Sequence, residues 1–125
     1  MSQGTKYNST NVETLAANKT LVATDAKFQI LDPAGDRDVT LPDIKNDTND
    51  ATSGTGTVGT ALFADHNSGF FYIENTANAS EVITVKGWNG TNSTTALGTP
   101  GQNEAAICYW TGSAHGWNVN VVANS

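Results

Sequence analysis

Side chains capable of catalysis are few in this 125-residue sequence, and their spacing favours none of the common mechanisms. His66 follows Asp65 directly, so on a strand the two side chains would point to opposite faces. His115 falls in a stretch typical of a hairpin turn, where a solvated histidine is expected. Cys108 lies in an apolar segment and is expected to be a small core residue with no basic partner. We therefore predict no catalytic residues and no enzymatic activity.

Oxygen ligands for a cation are concentrated in a polar loop over residues 43–59, which contains Asp43, Asp47 and Asp50. Carboxylates are good calcium ligands, but this spacing does not match the calcium loop of an EF-hand. A solvated loop is the main interpretation, and an ion site is the alternative. With one cysteine and two histidines, the sequence offers no structural zinc set. We predict no metal and no cofactor.

Three tryptophans stand out in a polar chain. Trp110 and Trp117 flank a hairpin at a distance typical of cross-strand packing. Trp88 precedes the turn dipeptide Asn89-Gly90 and is the better candidate for an exposed contact. If the protein binds glycans, Trp88 is the predicted glycan-contact residue.

The elements that must position these residues are short strands, because no segment has helical periodicity and turn residues separate the apolar runs. The sequence predicts an all-β domain of about eight strands, either a jelly-roll-like β-sandwich or a small barrel. The predicted strands cover 20–24, 27–31, 38–41, 60–64, 70–74, 81–86, 105–111 and 117–122. One domain over 13–125 would follow an extended N-terminal arm over 1–12.

Charge and hydropathy exclude two classes of partner. The net charge of −6 would repel phosphate backbones, so nucleic-acid binding is not expected. No apolar run is long enough for a transmembrane helix, and the first residues lack the apolar core of a signal peptide. We predict neither a membrane nor a nucleic acid as a partner.

The segment Phe70-Phe71-Tyr72-Ile73 has large apolar side chains at alternating and at intervening positions, so both faces of this strand are apolar. One face would pack on the core of the domain. The other needs a second layer or a neighbouring subunit, because monomers seldom expose such patches. We assign Phe71 and Ile73 as oligomer-contact residues.

Several short motifs occur in an order that resembles a known group of proteins. Arg37-Asp38-Val39-Thr40-Leu41-Pro42 comes first, then Gly69-Phe70-Phe71-Tyr72-Ile73-Glu74-Asn75, Ile83-Thr84-Val85, Pro100-Gly101 and a late Gly116-Trp117. This order resembles the small β domains of tailed-bacteriophage virion proteins, namely head decoration (cement) proteins and tail fibres or spikes. The resemblance implies a trimeric or otherwise clustered β protein on a virus particle, and it carries over no catalytic residue.

A single-domain length favours decoration of a capsid over a fibre. The expected function is a structural virion protein on the outer capsid surface that bridges coat subunits, as a homotrimer bound to the major capsid protein. Lys6, Tyr7 and Asn8 in the arm are the predicted capsid-contact residues, because the arm lacks periodicity and has a positive balance of charge. The alternative is a receptor- or glycan-binding tip of a tail fibre, and the third hypothesis, an enzyme, lacks paired carboxylates.

Overall fold

The computed structural model describes residues 10–42, 69–112 and 114–123, and these contain strands and connecting turns but no helix. Alternation of side chains sets the burial pattern, which is clearest in the strands whose inward positions are apolar. The described ranges contain nine strands: β1 Thr10–Leu15, β2 Lys19–Thr20, β3 Phe28–Pro33, β4 Arg37–Thr40, β5 Phe70–Asn75, β6 Ile83–Lys86, β7 Ala96–Gly98, β8 Glu104–Trp110 and β9 Trp117–Ala123.

The strands form two sheets. Sheet A has the order β1-β3-β5-β8-β9, and sheet B has the order β2-β4-β6-β7. From β1 to β6 the chain alternates between the sheets, so β1, β3 and β5 pair in parallel, as do β2, β4 and β6. One strand of sheet A and the next strand of sheet B together make one coil of the chain. Three such coils, β1–β2, β3–β4 and β5–β6, stack on one another. Antiparallel β7, β8 and β9 complete the two sheets on one side of this stack.

The predicted all-β class is confirmed, and the barrel alternative is wrong for the described part of the chain, where two separate sheets form no closed barrel. The pairing also differs from the antiparallel pattern of a jelly roll, since four of the seven strand pairs are parallel. The reason is the path of the chain. A strand that returns to its own sheet after a visit to the other one runs in the same direction as its predecessor.

One cluster of buried side chains takes members from both sheets. Sheet A contributes Leu31, Phe71 and Ile73, and sheet B contributes Val39 and Val85, all fully buried. Removal of this apolar surface from water is the main driving force for folding. The cluster therefore joins the two sheets into one unit.

Trp117 extends this cluster towards the end of β4. Its indole Nε1 donates a buried hydrogen bond to the Pro42 carbonyl oxygen at 2.9 Å, and its ring lies 5.8 Å from the ring of Trp110. Trp110 and Trp117 are register partners on β8 and β9. The predicted cross-strand packing of these two tryptophans is confirmed.

The first coil contributes Leu15 and Leu21 to the core but also has polar side chains at inward positions. Asn11 donates from Nδ2 to Glu13 and to Gln29 at 2.8 Å each, and Lys19 on β2 reaches the same Glu13 carboxylate at 3.0 Å. Glu13 and Lys19 occupy inward positions that Leu31 and Val39 fill in the next coil, whereas the register partner of Asn11 is the buried Gln29. Charges on inward positions are one way in which proteins discourage further pairing at an edge.

The links that return the chain from sheet B to sheet A differ in length. The amides of Leu21 and Leu41 donate to the next coil in the same way, to Thr40 and Lys86 respectively, and Phe28 is the register partner of Tyr72. The first link, from Leu21 to Phe28, contains residues 22–27. The second link, from Leu41 to Tyr72, contains residues 42–71. The shorter link is therefore long enough to return the chain from sheet B to sheet A.

Six predicted strands coincide with β3, β4, β5, β6, β8 and β9. The predicted strand 60–64 and the loop 43–59 lie outside the described residues, as do residues 1–9 of the predicted arm. The strand predicted at 20–24 is confirmed only at Thr20, which ends β2. Strands β1 and β7 were not predicted, and β1 begins at Thr10, within the predicted arm.

Candidate functional site: the outer face of sheet A

The predicted oligomer-contact residues are placed in the core instead. Phe71 and Ile73 are 0% exposed and belong to the buried cluster between the sheets. Their assignment to a subunit contact is therefore wrong, because their side chains cannot reach a second molecule. The outward positions of the same strand are held by Phe70 and Tyr72, which are only partly buried.

The outward positions of sheet A form a largely apolar face across all five strands. Register places Phe28 beside Tyr72 and Tyr72 beside Ile107, while Phe70 lies beside Tyr109. We call this surface the outer face of sheet A. Its large apolar members are Val12 (74% exposed), Phe28 (41%), Tyr109 (40%), Val122 (40%) and the partly buried Ile30, Phe70, Tyr72 and Ile107.

Four aromatic residues, Phe28, Phe70, Tyr72 and Tyr109, gather at one end of this face, and we call them the aromatic cluster. The ring of Phe28 lies 5.5 Å from that of Tyr72 and 6.3 Å from that of Phe70, the latter at an interplanar angle of 63°. Edge and tilted contacts are favoured by aromatic pairs. Aromatic side chains are also enriched in protein interfaces, where they contribute much of the binding energy.

Charge on the outer face of sheet A lies beyond the aromatic cluster and begins at Glu74, next to Tyr72. Asp32 and Glu74 are its ionisable acids, and no outward position of this sheet in the described strands carries a lysine or an arginine. The hydroxyl of Tyr72 lies 3.5 Å from a Glu74 oxygen. Desolvation, with a smaller effect of Glu74, raises the pKa of Tyr72, so the phenol stays neutral at physiological pH. The aromatic cluster is therefore uncharged.

The outer face of sheet B has a different composition. Its outward positions in β4 and β6 carry Asp38, Thr40, Thr84 and Lys86. The Lys86 ammonium lies 2.9 Å from the Asp38 carboxylate, and both side chains remain partly accessible to water. Such a surface is stable in contact with solvent and needs no cover.

Reactive groups in the described residues do not assemble into a catalytic arrangement. Burial raises the pKa of the Cys108 thiol to about 12, so it is protonated at physiological pH, and its predicted role as a core residue is confirmed. His115 is exposed in the turn before β9, as predicted. No group of three or more His, Cys, Asp or Glu among the described residues is placed to hold a metal ion.

Trp88 follows β6 and is partly buried. Its carbonyl oxygen accepts a hydrogen bond from the Trp117 amide at 2.7 Å, which ties this turn to the start of β9. Gly116 is needed beside it, because a Cβ at this position, where φ is +72°, would overlap the Trp88 carbonyl. Trp88 therefore belongs to a tightly packed turn and lies outside the aromatic cluster.

The remaining predicted site residues, Lys6, Tyr7 and Asn8, lie outside the described residues, as do the loop carboxylates Asp43, Asp47 and Asp50. The sequence carries the signal for the outer face of sheet A on three strands, of which the prediction above uses only β5. Strand β5 has an outward apolar pair, and two other strands have one as well. On β3 the pair is Phe28 and Ile30, and on β8 it is Ile107 and Tyr109.

Comparisons of the chain with models of protein families, with curated proteins and with solved structures find no match. In the part of the chain that the structure describes, no helix has the length and apolar character needed to cross a membrane.

Proposed function

We propose that this protein is a structural virion protein that decorates and stabilises a bacteriophage capsid by bridging coat subunits. It would act without catalysis, as a homotrimer on the outer capsid surface, with the major capsid protein as its partner. We also infer that the two sheets pack face to face as a sandwich, since one buried cluster takes side chains from both.

The observation that carries the proposal is the contrast between the two outer faces. Sheet A presents an uncharged aromatic cluster, whereas sheet B presents threonines and a paired lysine and aspartate. An apolar patch of this kind marks a surface that works by contact. The step from a contact protein to a capsid protein rests on the resemblance of the ordered motifs to phage virion domains.

Bridging of coat subunits is a plausible physical task for such a domain. A protein that binds only the assembled shell stabilises that shell by mass action. Many copies on a symmetric lattice add their weak contacts through multivalency. The low content of charged residues, 14% of the chain, limits the dependence of these contacts on salt.

The arm with Lys6, Tyr7 and Asn8 is the proposed contact with the coat. Because β1 begins at Thr10, removal of residues 1–9 leaves this strand intact and so separates the arm from the fold. A matched control replaces residues 1–9 with a Gly/Ser segment of equal length. We expect both variants to fold and both to lose occupancy on particles.

The experiment adds purified chain to phage particles that lack it and measures copies per particle by mass spectrometry, together with the temperature at which the genome is released. We expect hundreds of copies per particle and a higher release temperature. A handful of copies, or binding to cell-surface glycans that is lost in Trp88→Ala, would favour the tail-tip alternative. Occupancy unchanged by loss of residues 1–9 would refute the role of the arm.

A further inference from the structure

We propose that copies of this chain associate through the aromatic cluster on the outer face of sheet A, with Phe28, Phe70, Tyr72 and Tyr109 covered by a second copy. The inference deepens the proposed function, on which its clustered form rests, by naming the surface and its occupant. Asp32 and Glu74 lie beyond the aromatic cluster on the same face, and a Glu74 oxygen lies 3.5 Å from the Tyr72 hydroxyl at the edge of the cluster.

The aromatic cluster leaves much apolar surface exposed to water. Phe28 and Tyr109 are each about two-fifths exposed although both lie in central strands of sheet A, β3 and β8. Central strands are already hydrogen-bonded on both sides, so these side chains are not needed for pairing within the sheet. Water contact with such a face is unfavourable, and monomers rarely maintain it.

Charge identifies the occupant. At a net charge of −6, two copies repel each other unless they meet through a neutral surface. The aromatic cluster is such a surface, because the adjacent outward positions in its rows are Thr10, Ile107, Asn118 and Asn120. Glu74 lies two residues beyond Tyr72, a displacement of roughly 7 Å along the strand. A contact centred on Phe28 and Phe70 therefore has the acidic end of each copy at its edge.

The cations of the described residues are already engaged within the chain. Lys19 pairs with Glu13, Lys86 pairs with Asp38, and the Arg37 guanidinium donates to the Leu15 carbonyl at 3.0 Å. Lys27 donates to the Ala23 carbonyl and lies 4.5 Å above the buried ring of Phe71. None of these cations lies on the aromatic cluster. The contact is therefore apolar and neutral, which matches the composition of interfaces between identical subunits.

The first experiment measures the mass of the full chain in solution by sedimentation velocity and native mass spectrometry. Phe28→Glu places a charge in the aromatic cluster, and Thr84→Glu adds the same charge to the outer face of sheet B. We expect the wild type and Thr84→Glu to be oligomeric. In Phe28→Glu the dissociation constant should rise by roughly 30-fold or more, as for loss of an interface hot spot. Far-UV circular dichroism checks that each variant is folded.

A second experiment does not require removal of an aromatic residue. Asn120→Cys places a thiol at the rim of the aromatic cluster, and Thr84→Cys places one on sheet B. The native Cys108 is buried and protonated, so the new thiol is the reactive one. We expect a short bis-maleimide to link copies of Asn120→Cys and to leave Thr84→Cys largely unlinked.

Three outcomes would overturn the inference: a monomeric wild type at tens of micromolar, equal masses for Phe28→Glu and Thr84→Glu, or equal cross-linking of the two cysteine variants. Binding to capsids is scored separately. A monomer that still decorates particles and loses binding in Phe28→Glu would assign the aromatic cluster to the coat protein, with the proposed function intact. An oligomer that binds no particle would support this inference and refute the proposed function.

Discussion

The outer faces of sheet A and sheet B follow the same alternation of inward and outward residues, yet their outward residues have opposite character. Strand β5 of sheet A shows Phe70 and Tyr72 to the outside, whereas β6 of sheet B shows Thr84 and Lys86. Inward residues are constrained by the shared core, but outward residues are constrained only by what they meet. The difference therefore reports on surroundings: sheet B is suited to water, and sheet A is suited to a protein surface.

The largest expected effect separates inward from outward residues on one strand. Phe71→Ala should lower the free energy of unfolding by about 3–5 kcal/mol, because it leaves a cavity in the buried cluster. Phe70→Ala, its neighbour, should change that free energy much less and should weaken association instead. Urea unfolding at one fixed protein concentration measures both variants. Equal losses of stability in Phe71→Ala and Phe70→Ala would show that the side chains on both faces of β5 are buried in a core.

The next effect tests whether the ends of the two sheets are tied together. Buried Asn75 at the end of β5 donates from Nδ2 to the carbonyls of Glu81 and Pro100, at 2.9 and 3.0 Å, and its Oδ1 accepts from the Ala77 amide. Asn75→Ala removes the partner of the buried Ala77 amide and of the Glu81 carbonyl, while the Pro100 carbonyl keeps its bond from the Ile83 amide; it should lower the free energy of unfolding by about 2–3 kcal/mol. Thermal unfolding provides the measurement.

Asn92 supplies the control for Asn75, since its Oδ1 accepts from the backbone amides of Thr94 and Thr95 in an exposed turn. Asn92→Ala should lower stability by about 1 kcal/mol or less, because water can replace the lost partner. A loss as large as that of Asn75→Ala would contradict the role of burial.

A smaller effect concerns the ion pair on the outer face of sheet B. A double-mutant cycle with Asp38→Ala and Lys86→Ala should give a coupling of about 0.5 kcal/mol, since both side chains are partly solvated. The coupling should shrink further at 1 M salt. A coupling of several kcal/mol that resists salt would mean that sheet B is covered in the native protein, which would remove the contrast between the two faces.

The last effect depends on pH and is about as small as that of the ion pair. The hydrogen bond from Asn11, assisted by Lys19, lowers the pKa of Glu13 below its ordinary value of 4.5. The resulting stabilisation is fully present above pH 4.5 and is lost as the pH falls through the lowered pKa. Because Glu13 is about a third accessible, screening limits the contribution to about 0.5 kcal/mol.

Urea unfolding between pH 7 and pH 3 measures this contribution. We expect Glu13→Gln to be slightly less stable than the wild type at pH 7 and to approach it at pH 3. A constant difference across this range would exclude the carboxylate as its source.

The strands were predictable where inward residues are apolar, as in β5 and in the pair that joins Trp110 to Trp117. Strand β1 was not predictable, because its inward residues Asn11 and Glu13 close the end of the stack with polar contacts. Parallel pairing could not be predicted either. Alternation defines the two faces of a strand but carries no information about the direction of its neighbour.

The candidate site could be predicted only in part. The segment from Phe70 to Ile73 is apolar at every position, so the sequence identified a second apolar face without showing which residues form it. If the strand were shifted by one residue, Phe70 and Tyr72 would face the core, and Phe71 and Ile73 would face outward. The structure resolves this choice through the register with β3, where Phe28 pairs with Tyr72.

The unequal links between coils have a practical consequence. Residues 42–71 occupy a connection that residues 22–27 complete in the preceding coil, so a connection at this position can be much longer than the shortest one. The exposed turn at Thr24 is accordingly a natural place to graft a foreign epitope. If the chain coats a particle in many copies, a peptide inserted there would be displayed in a dense, regular array.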